Sequence, residues 1–288
     1  MDIDLDELRP LMFSIAYRMT GSVGDAEDIV QEAVIRTYRA ASGGTLVESP
    51  KAFVTTTTTR LAIDHLRSAR VRRESYVGTW LPEPLVTDPE PGPAERAEMA
   101  DSLSLAFLVL LESLSPVERA VFLLREVFGY DYGDIAAAVG KSEANCRQIF
   151  ARARRHVDEG RPKYDASRRQ GTELTERFLA AISGGDMEPF IELLAPDVVM
   201  MGDGGGKAPA AATPIYGRLQ VARLLRGLAR QATRWISEVR PVQVNGQPGV
   251  IAYDPDGNLF GVMTFDHTDG QVVAIRSVIN PDKLRHLQ

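Results

Sequence analysis

The 288-residue sequence holds one cysteine, Cys146. That excludes an internal disulfide and any metal site built on several thiolates, and it fits a reducing compartment. An excess of basic charge is also missing: 33 Lys and Arg stand against 39 Asp and Glu, for a net charge of −6. A polycation that coats nucleic acid indiscriminately is therefore excluded, and any DNA contact has to be local. Long apolar runs are absent too. The longest, Leu105–Leu111, is far short of a bilayer span, so no membrane partner is expected. The opening Met1-Asp2-Ile3-Asp4-Leu5-Asp6-Glu7 has acids where a signal peptide has basic and then apolar residues, which predicts a cytoplasmic protein. What remains is ordinary for a folded chain. The hydrophobic fraction is 44% and the charged fraction 25%, values that exclude wholesale disorder.

Proline and glycine divide the chain. Residues 5–74 read as helical. Residues 80–93 carry Pro82, Pro84, Pro89, Pro91 and Pro93 among acids, which predicts an extended linker because proline fixes φ and removes a donor. A second helical block covers 94–158, followed by a short basic stretch at 161–169. From residue 172 the pattern predicts two helices, the triplet Gly204-Gly205-Gly206, one more helix, and then strands at 234–244, 249–254, 259–266 and 271–278. Helices followed by successive antiparallel strands indicate an α+β domain. The expected domains are 1–76, a linker at 77–100, 101–160 and 171–288.

Local signals place the helix ends. Ser49-Pro50 sets a cap before proline at the first helical position. Ser115-Pro116-Val117-Glu118 reads as a capping box. Gly129 and Gly140 sit where left-handed C-terminal caps belong. Asp25 is the expected cap of a helix whose apolar positions are Ile29, Val30, Ala33, Val34 and Tyr38. The threonines at 55–59 are poor helix formers, and a short strand is the local alternative, yet the spacing of Phe53, Leu61 and Leu66 favours a helix over 49–73 that ends in Arg60, Arg67, Arg70, Arg72 and Arg73, with Asp64 the one acid among them.

Residues 132–156 have the layout of a helix-turn-helix. Ile135 and Ala136 face inward, Val139-Gly140-Lys141 makes the turn, and Ser142 caps a second helix with Cys146, Ile149 or Phe150, and Ala153 inside. Cys146 on that apolar face acts as a small hydrophobe. Ser142, Glu143, Asn145, Arg147 and Gln148 are then presented to a major groove. Arg147 and Gln148 are matched to guanine and adenine edges, and Arg152, Arg154 and Arg155 to phosphates. An ordinary hairpin with a solvated basic face is the plainer alternative. On the helix that follows Asp25, the residues Asp28, Gln31, Glu32 and Arg36 form a polar face suited to a partner helix or simply to solvent.

These strings resemble a known family. Asp25-Ala26-Glu27-Asp28-Ile29-Val30-Gln31-Glu32 and Ile63-Asp64-His65-Leu66-Arg67 resemble region 2 of bacterial sigma-70 factors of the extracytoplasmic-function type. Leu114-Ser115-Pro116-Val117-Glu118-Arg119 through Arg152-Ala153-Arg154 resembles region 4. The last third resembles a SnoaL-like domain, an α+β cone with a curved antiparallel sheet. Trp80-Leu81-Pro82-Glu83-Pro84, Asp203-Gly204-Gly205-Gly206-Lys207 and Asn280-Pro281-Asp282-Lys283-Leu284 are similar to strings of a subgroup that carries this domain. Where such factors often have asparagine before Leu61, this chain has Arg60.

The resemblance implies an alternative sigma factor that brings core RNA polymerase to promoters. Asp28, Gln31, Glu32 and Arg36 would meet the β′ clamp helices, and region 4 the β flap. Lys51, Arg60, Asp64 and Arg67 would lie at the −10 element. Ser142, Glu143, Asn145, Arg147, Gln148 and Arg152 would read the −35 element. Trp80, Pro82, Glu83, Asp203, Gly205, Lys207, Asn280, Pro281, Asp282 and Lys283 would form interdomain seams through which the last domain regulates the rest in cis. A helix-turn-helix regulator, or a protein that binds or converts a small molecule in a SnoaL-like pocket, is the other reading. Its candidate groups are Asp203, Asp266 and His267, walled by Tyr253 and Trp235. They make no catalytic signature, and neither enzymatic activity, cofactor nor metal is expected.

Overall fold

The computed structural model describes residues 4–43, 49–73, 76–87, 102–160 and 168–288. The proline-rich run beyond Thr87, the middle of the loop before Lys51 and the basic residues at 161–167 lie outside them, and the side chains of Arg70, Arg72 and Arg73 are likewise not described. The chain divides into two units: residues 1–75 with 108–161, and residues 76–107 with 162–288. Among the described residues, no helix is long and apolar enough to cross a membrane.

The first unit begins with α1 (Leu5–Thr20), α2 (Val23–Ser42) and α3 (Pro50–Arg73). Asp4 starts α1 by accepting from the backbone N–H groups of Asp6 and Glu7, and Gly21 ends it at φ 68°. The expected cap of α2 is displaced. Ser22 takes the position, its hydroxyl accepting from the N–H of Asp25 at 3.2 Å, so Asp25 falls inside the first turn and favours the helix dipole there. Leu5, Met12, Val30, Ala33 and Val54 form the shared core. The threonines of α3 hold a helix because Thr55, Thr58 and Thr59 are buried in the first unit. Tertiary packing outweighs their weak intrinsic propensity.

After α4 (Leu105–Leu111), α5 (Pro116–Phe122) continues into a π-helical turn at Leu123–Val127, then α6 (Tyr132–Val139) and α7 (Glu143–Gly160). The capping box forms: Ser115 N–H donates to Glu118 at 3.0 Å and Glu118 N–H to the Ser115 hydroxyl at 3.4 Å. Val121, Leu124, Ile135, Ala138, Cys146 and Ile149 make the core. Buried Arg119 joins the helical blocks, donating to the carbonyls of Met19 and Leu111 at 2.6 Å each and to Glu112 at 2.8 Å. Burial lowers its pKa to about 9, so it keeps its charge at neutral pH.

The second unit holds α8 (Arg168–Gly184), α9 (Glu188–Ile191), α10 (Arg218–Trp235) and one seven-stranded sheet. The strands are β1 (Val86–Thr87), β2 (Leu194–Asp203), β3 (Ile215–Tyr216), β4 (Glu238–Val244), β5 (Gln247–Tyr253), β6 (Leu259–Thr268) and β7 (Gln271–Val278), in the order β1-β4-β5-β6-β7-β2-β3. Asn245-Gly246 and Asp269-Gly270, all at positive φ, set the β4–β5 and β6–β7 hairpins. Every pairing is antiparallel except β2 with β7. Phe178, Phe190 and Phe265 meet at centroid distances of 4.8–5.5 Å and fill the space between helices and sheet.

Two expectations are corrected here. The segment before Gly204 is strand β2, a stretch that carried no strand expectation. Helix α10 runs through Trp235, where a strand was expected from residue 234. The first part of the linker is extended, as expected, and its β1 pairs with β4.

Candidate nucleic-acid interface

The helix-turn-helix is built by short-range capping. Asp131 starts α6 by accepting from the N–H of Asp134 at 2.9 Å. Gly140, at φ 65°, turns the chain, and Ser142 starts α7 by accepting from the N–H of Asn145 at 3.3 Å. With Cys146, Ile149, Ala153 and Val157 facing the core, α7 presents Ser142, Glu143, Arg147, Gln148 and Arg152 to solvent, while Asn145 is half-buried. Arg147 is held on two sides. Its guanidinium pairs with Glu143 at 2.8 Å and lies over the Tyr132 ring at 4.4 Å. Arg125 covers the same ring at 5.0 Å and donates to the Tyr130 carbonyl. A cleft of about 640 Å³ runs beside this group, lined by Arg147, Arg154 and Arg155 with Tyr132 and Phe150, and at its far end by the acids Asp158 and Glu159. The exposed arginines of this helix suit base edges and phosphates.

On α2, Asp28, Gln31 and Arg36 are exposed and Glu32 is half-buried, pairing with Arg36 at 2.7 Å. Tyr38 does not join the core as its spacing implied. It is 58% exposed, and with exposed Ile35 it adds apolar area beside these polar residues. On α3, Lys51, Asp64 and Arg67 are exposed, the last two paired at 3.2 Å. Arg60 instead closes the C-terminus of α6, donating to the carbonyls of Ala137 and Ala138 at 2.6 and 3.1 Å. A cation on the unpaired carbonyls of a helix end is favourable. The Thr55 and Tyr130 hydroxyls bond at 2.8 Å nearby.

In the second unit the linker residues converge on Asp203, a carboxylate with no solvent exposure at the end of β2. It accepts from the Tyr76 hydroxyl, from the N–H of Leu81 at 2.8 Å, from the N–H of Gly205 at 3.1 Å and from the Lys283 ammonium at 2.7 Å. Lys283 also donates to the Leu81 carbonyl and lies over the rings of Trp80 at 4.2 Å and Tyr76 at 4.9 Å. Asn280 donates to the Tyr76 hydroxyl at 2.8 Å. Burial, and then the bond to Asp203, raise the Tyr76 phenol above its ordinary pKa. Gly205 is needed as glycine: its φ is 58°, and a Cβ there would lie 2.1 Å from the Asn280 amide. Lys207 pairs with Asp282 and holds its carboxyl below the usual range. Pro82 is buried, Glu83 half-buried, and Pro281 opens the closing 3₁₀ turn. Tyr76 and His286, which reaches the Pro84 carbonyl at 2.8 Å, were not anticipated, for no local motif marks them.

The small-molecule candidates do not come together. Asp203 pairs with Val278 on β7, whereas Asp266 sits opposite Ala274, four residues away along that strand and on its other side. Asp266 is in a buried pair with Arg276. Tyr253 lies under Arg240 at 4.4 Å, and Trp235 is 56% exposed. Among the described residues no cluster of three or more His, Cys, Asp or Glu is placed to hold a metal.

Comparison with known proteins agrees with this layout. The Sigma-70 region 2 family matches residues 5–72 and the Sigma-70, region 4 family residues 104–157. The ECF RNA polymerase sigma factor SigJ of Mycobacterium tuberculosis is 37% identical over 97% of this chain and 92% of its own length. The probable ECF sigma factor SigI of the same species is 33% identical over 97% and 93%. The crystal structure of M. tuberculosis SigJ superposes with a TM-score of 0.76 at 33% identity, covering 98% of both chains.

Proposed function

The chain belongs to the ECF sigma factors of the sigma-70 family, and from that premise we propose how its named residues divide the work. As an alternative sigma factor it directs core RNA polymerase to promoters and starts transcription, acting by binding. The domains are region 2 at 1–76, the linker at 77–100, region 4 at 101–160 and a SnoaL-like regulatory domain at 171–288. Arg147 and Gln148 read base edges at the −35 element, helped by Ser142, Glu143 and Asn145, while Arg152 holds a phosphate. Lys51, Arg60, Asp64 and Arg67 serve the −10 element, where an unstacked base and a single strand have to be held. Asp28, Gln31, Glu32 and Arg36, with Ile35 and Tyr38 beside them, meet the β′ clamp helices, and region 4 meets the β flap. No step in this scheme calls for a catalytic group or a cofactor.

The C-terminal domain regulates in cis. The observation that carries this is the capture of the linker's first part by Asp203, Asn280 and Lys283, with β1 added to the sheet. The linker joins regions 2 and 4, so whatever holds it constrains their separation. Run-off transcription with core polymerase tests the reading. Asp203→Asn and Lys283→Met are expected to alter the preferred spacing between the −35 and −10 elements. Unchanged transcription across promoters of different spacing sinks it.

A further inference from the structure

Helix α10 has a strongly two-sided surface. Val221, Ala222 and Leu225 are buried against the sheet core. Arg223, Arg226, Arg230 and Arg234 are all exposed. Their spacing of three, four and four residues sets them along one stripe of the helix, roughly a quarter of its circumference at 100° per residue. With Arg218, the helix has five arginines and no acid, in a chain whose net charge is −6. Arg226 is partly neutralised by Glu188 at 2.7 Å. Arg223, Arg230 and Arg234 have no ion pair among the described residues.

We propose that the arginine stripe of α10 is a second DNA-binding surface, which takes the phosphate backbone of duplex DNA outside the −10 and −35 elements. The stripe is about 16 Å long at 1.5 Å per residue, enough to follow about five base-pair steps of 3.4 Å. Guanidinium groups pair with phosphate oxygens through two donors and lose hydration readily. Val221, Ala222 and Leu225 are spent in the core, whereas Leu219, Leu228 and Trp235 are exposed on the same helix, so binding of the chain to anionic vesicles that depends on Arg223, Arg230 and Arg234 overturns the DNA reading in favour of a membrane surface. Guanidinium–phosphate pairing reads no base edge, so the contact is sequence-independent and electrostatic. The inference rests on the sigma-factor reading, because polymerase and region 4 bring the duplex within reach.

The test uses holoenzyme assembled from core polymerase and the full chain, with promoter affinity measured across a salt series. In the variant R223Q/R230Q/R234Q, the slope of log K against log salt is expected to become shallower by about 0.9 for each lost phosphate contact, up to about 3. On a fragment trimmed to the two promoter elements, the variant and the unaltered chain are expected to have the same slope. Lysine at the three positions is expected to retain most of the original slope. The circular-dichroism melting curve of each variant shows that the fold survives. An unchanged slope on long DNA overturns the proposal. So does a loss of affinity for core polymerase in the absence of DNA, which marks the stripe as a protein contact. The parent reading is checked apart: an unaltered holoenzyme that makes no run-off transcript removes both, whereas normal transcription with an unchanged variant slope removes only this one.

Discussion

At the scale of single residues, the ammonium of Lys283 meets Asp203, the Leu81 carbonyl and two aromatic faces at once. Removing it strands a buried carboxylate. Lys283→Met is expected to destabilise the second unit by about 3–5 kcal/mol, and Lys283→Met with Asp203→Asn to recover part of the loss. Thermal unfolding of the full chain measures both. Glu118 offers a test by pH. The Ser115 hydroxyl, the first of its causes, holds this carboxyl below its ordinary pKa. A depressed carboxyl stabilises the fold above its unfolded pKa of about 4.3, and that contribution disappears as pH falls through the lower folded value. The stability gap between the unaltered chain and Glu118→Ala is therefore expected to be widest above about pH 5 and to shrink below pH 4 in denaturant titrations. Ser115 and Glu118 were legible because a capping box is a four-residue pattern. Tyr76 was not, since its partner Asp203 is 127 residues away.

At the scale of elements, α6 and α7 were legible for the same reason: a cap, a left-handed glycine and a second cap lie within a dozen residues. Strand β2 was hidden. Val198-Val199-Met200-Met201 is a short apolar run without alternation, which suits a buried strand or a buried helix equally. Its main partner, β7, lies more than 70 residues on and runs parallel to it. What α7 does is separable by residue. Arg147→Ala removes a guanidinium held by Glu143 and Tyr132, and is expected to cost about 1–3 kcal/mol of discrimination at one −35 base pair. Arg152→Ala is expected to weaken binding to all sequences alike and to lower the salt slope by about 1. Competition binding of the holoenzyme to a set of single-base promoter variants tells the two effects apart. Equal loss of selectivity from both changes contradicts the division.

At the scale of the whole molecule, the first unit packs the region 2 and region 4 helices, proposed above to read the promoter, against each other. Arg60 of α3 holds the α6 carbonyls, Thr55 bonds to Tyr130, and Arg119 of α5 reaches the Met19 carbonyl of α1. A promoter sets them apart. The −35 and −10 elements are about 25 base pairs distant, about 85 Å of duplex, whereas α3, with 24 residues, is about 36 Å long. On the proposed assignment of α3 to the −10 element and α7 to the −35 element, the packed arrangement is expected to open before both are occupied, and the energy that holds it closed is then subtracted from the affinity for polymerase. If Arg60 also serves the −10 element as proposed, it stands on both sides of that equilibrium. Hydrogen bonds from a charged donor contribute about 1.5–3 kcal/mol when buried, and the exposed position of Arg60 lowers this to about 1 kcal/mol. Arg60→Gln is expected to raise the affinity for core polymerase by about threefold to tenfold while reducing strand opening at the −10 element. Fluorescence titration with core polymerase reads the first change and permanganate reactivity of unpaired thymines the second. If both fall together, Arg60 stabilises only the productive state. If affinity rises and opening is untouched, its role ends at the α6 carbonyls.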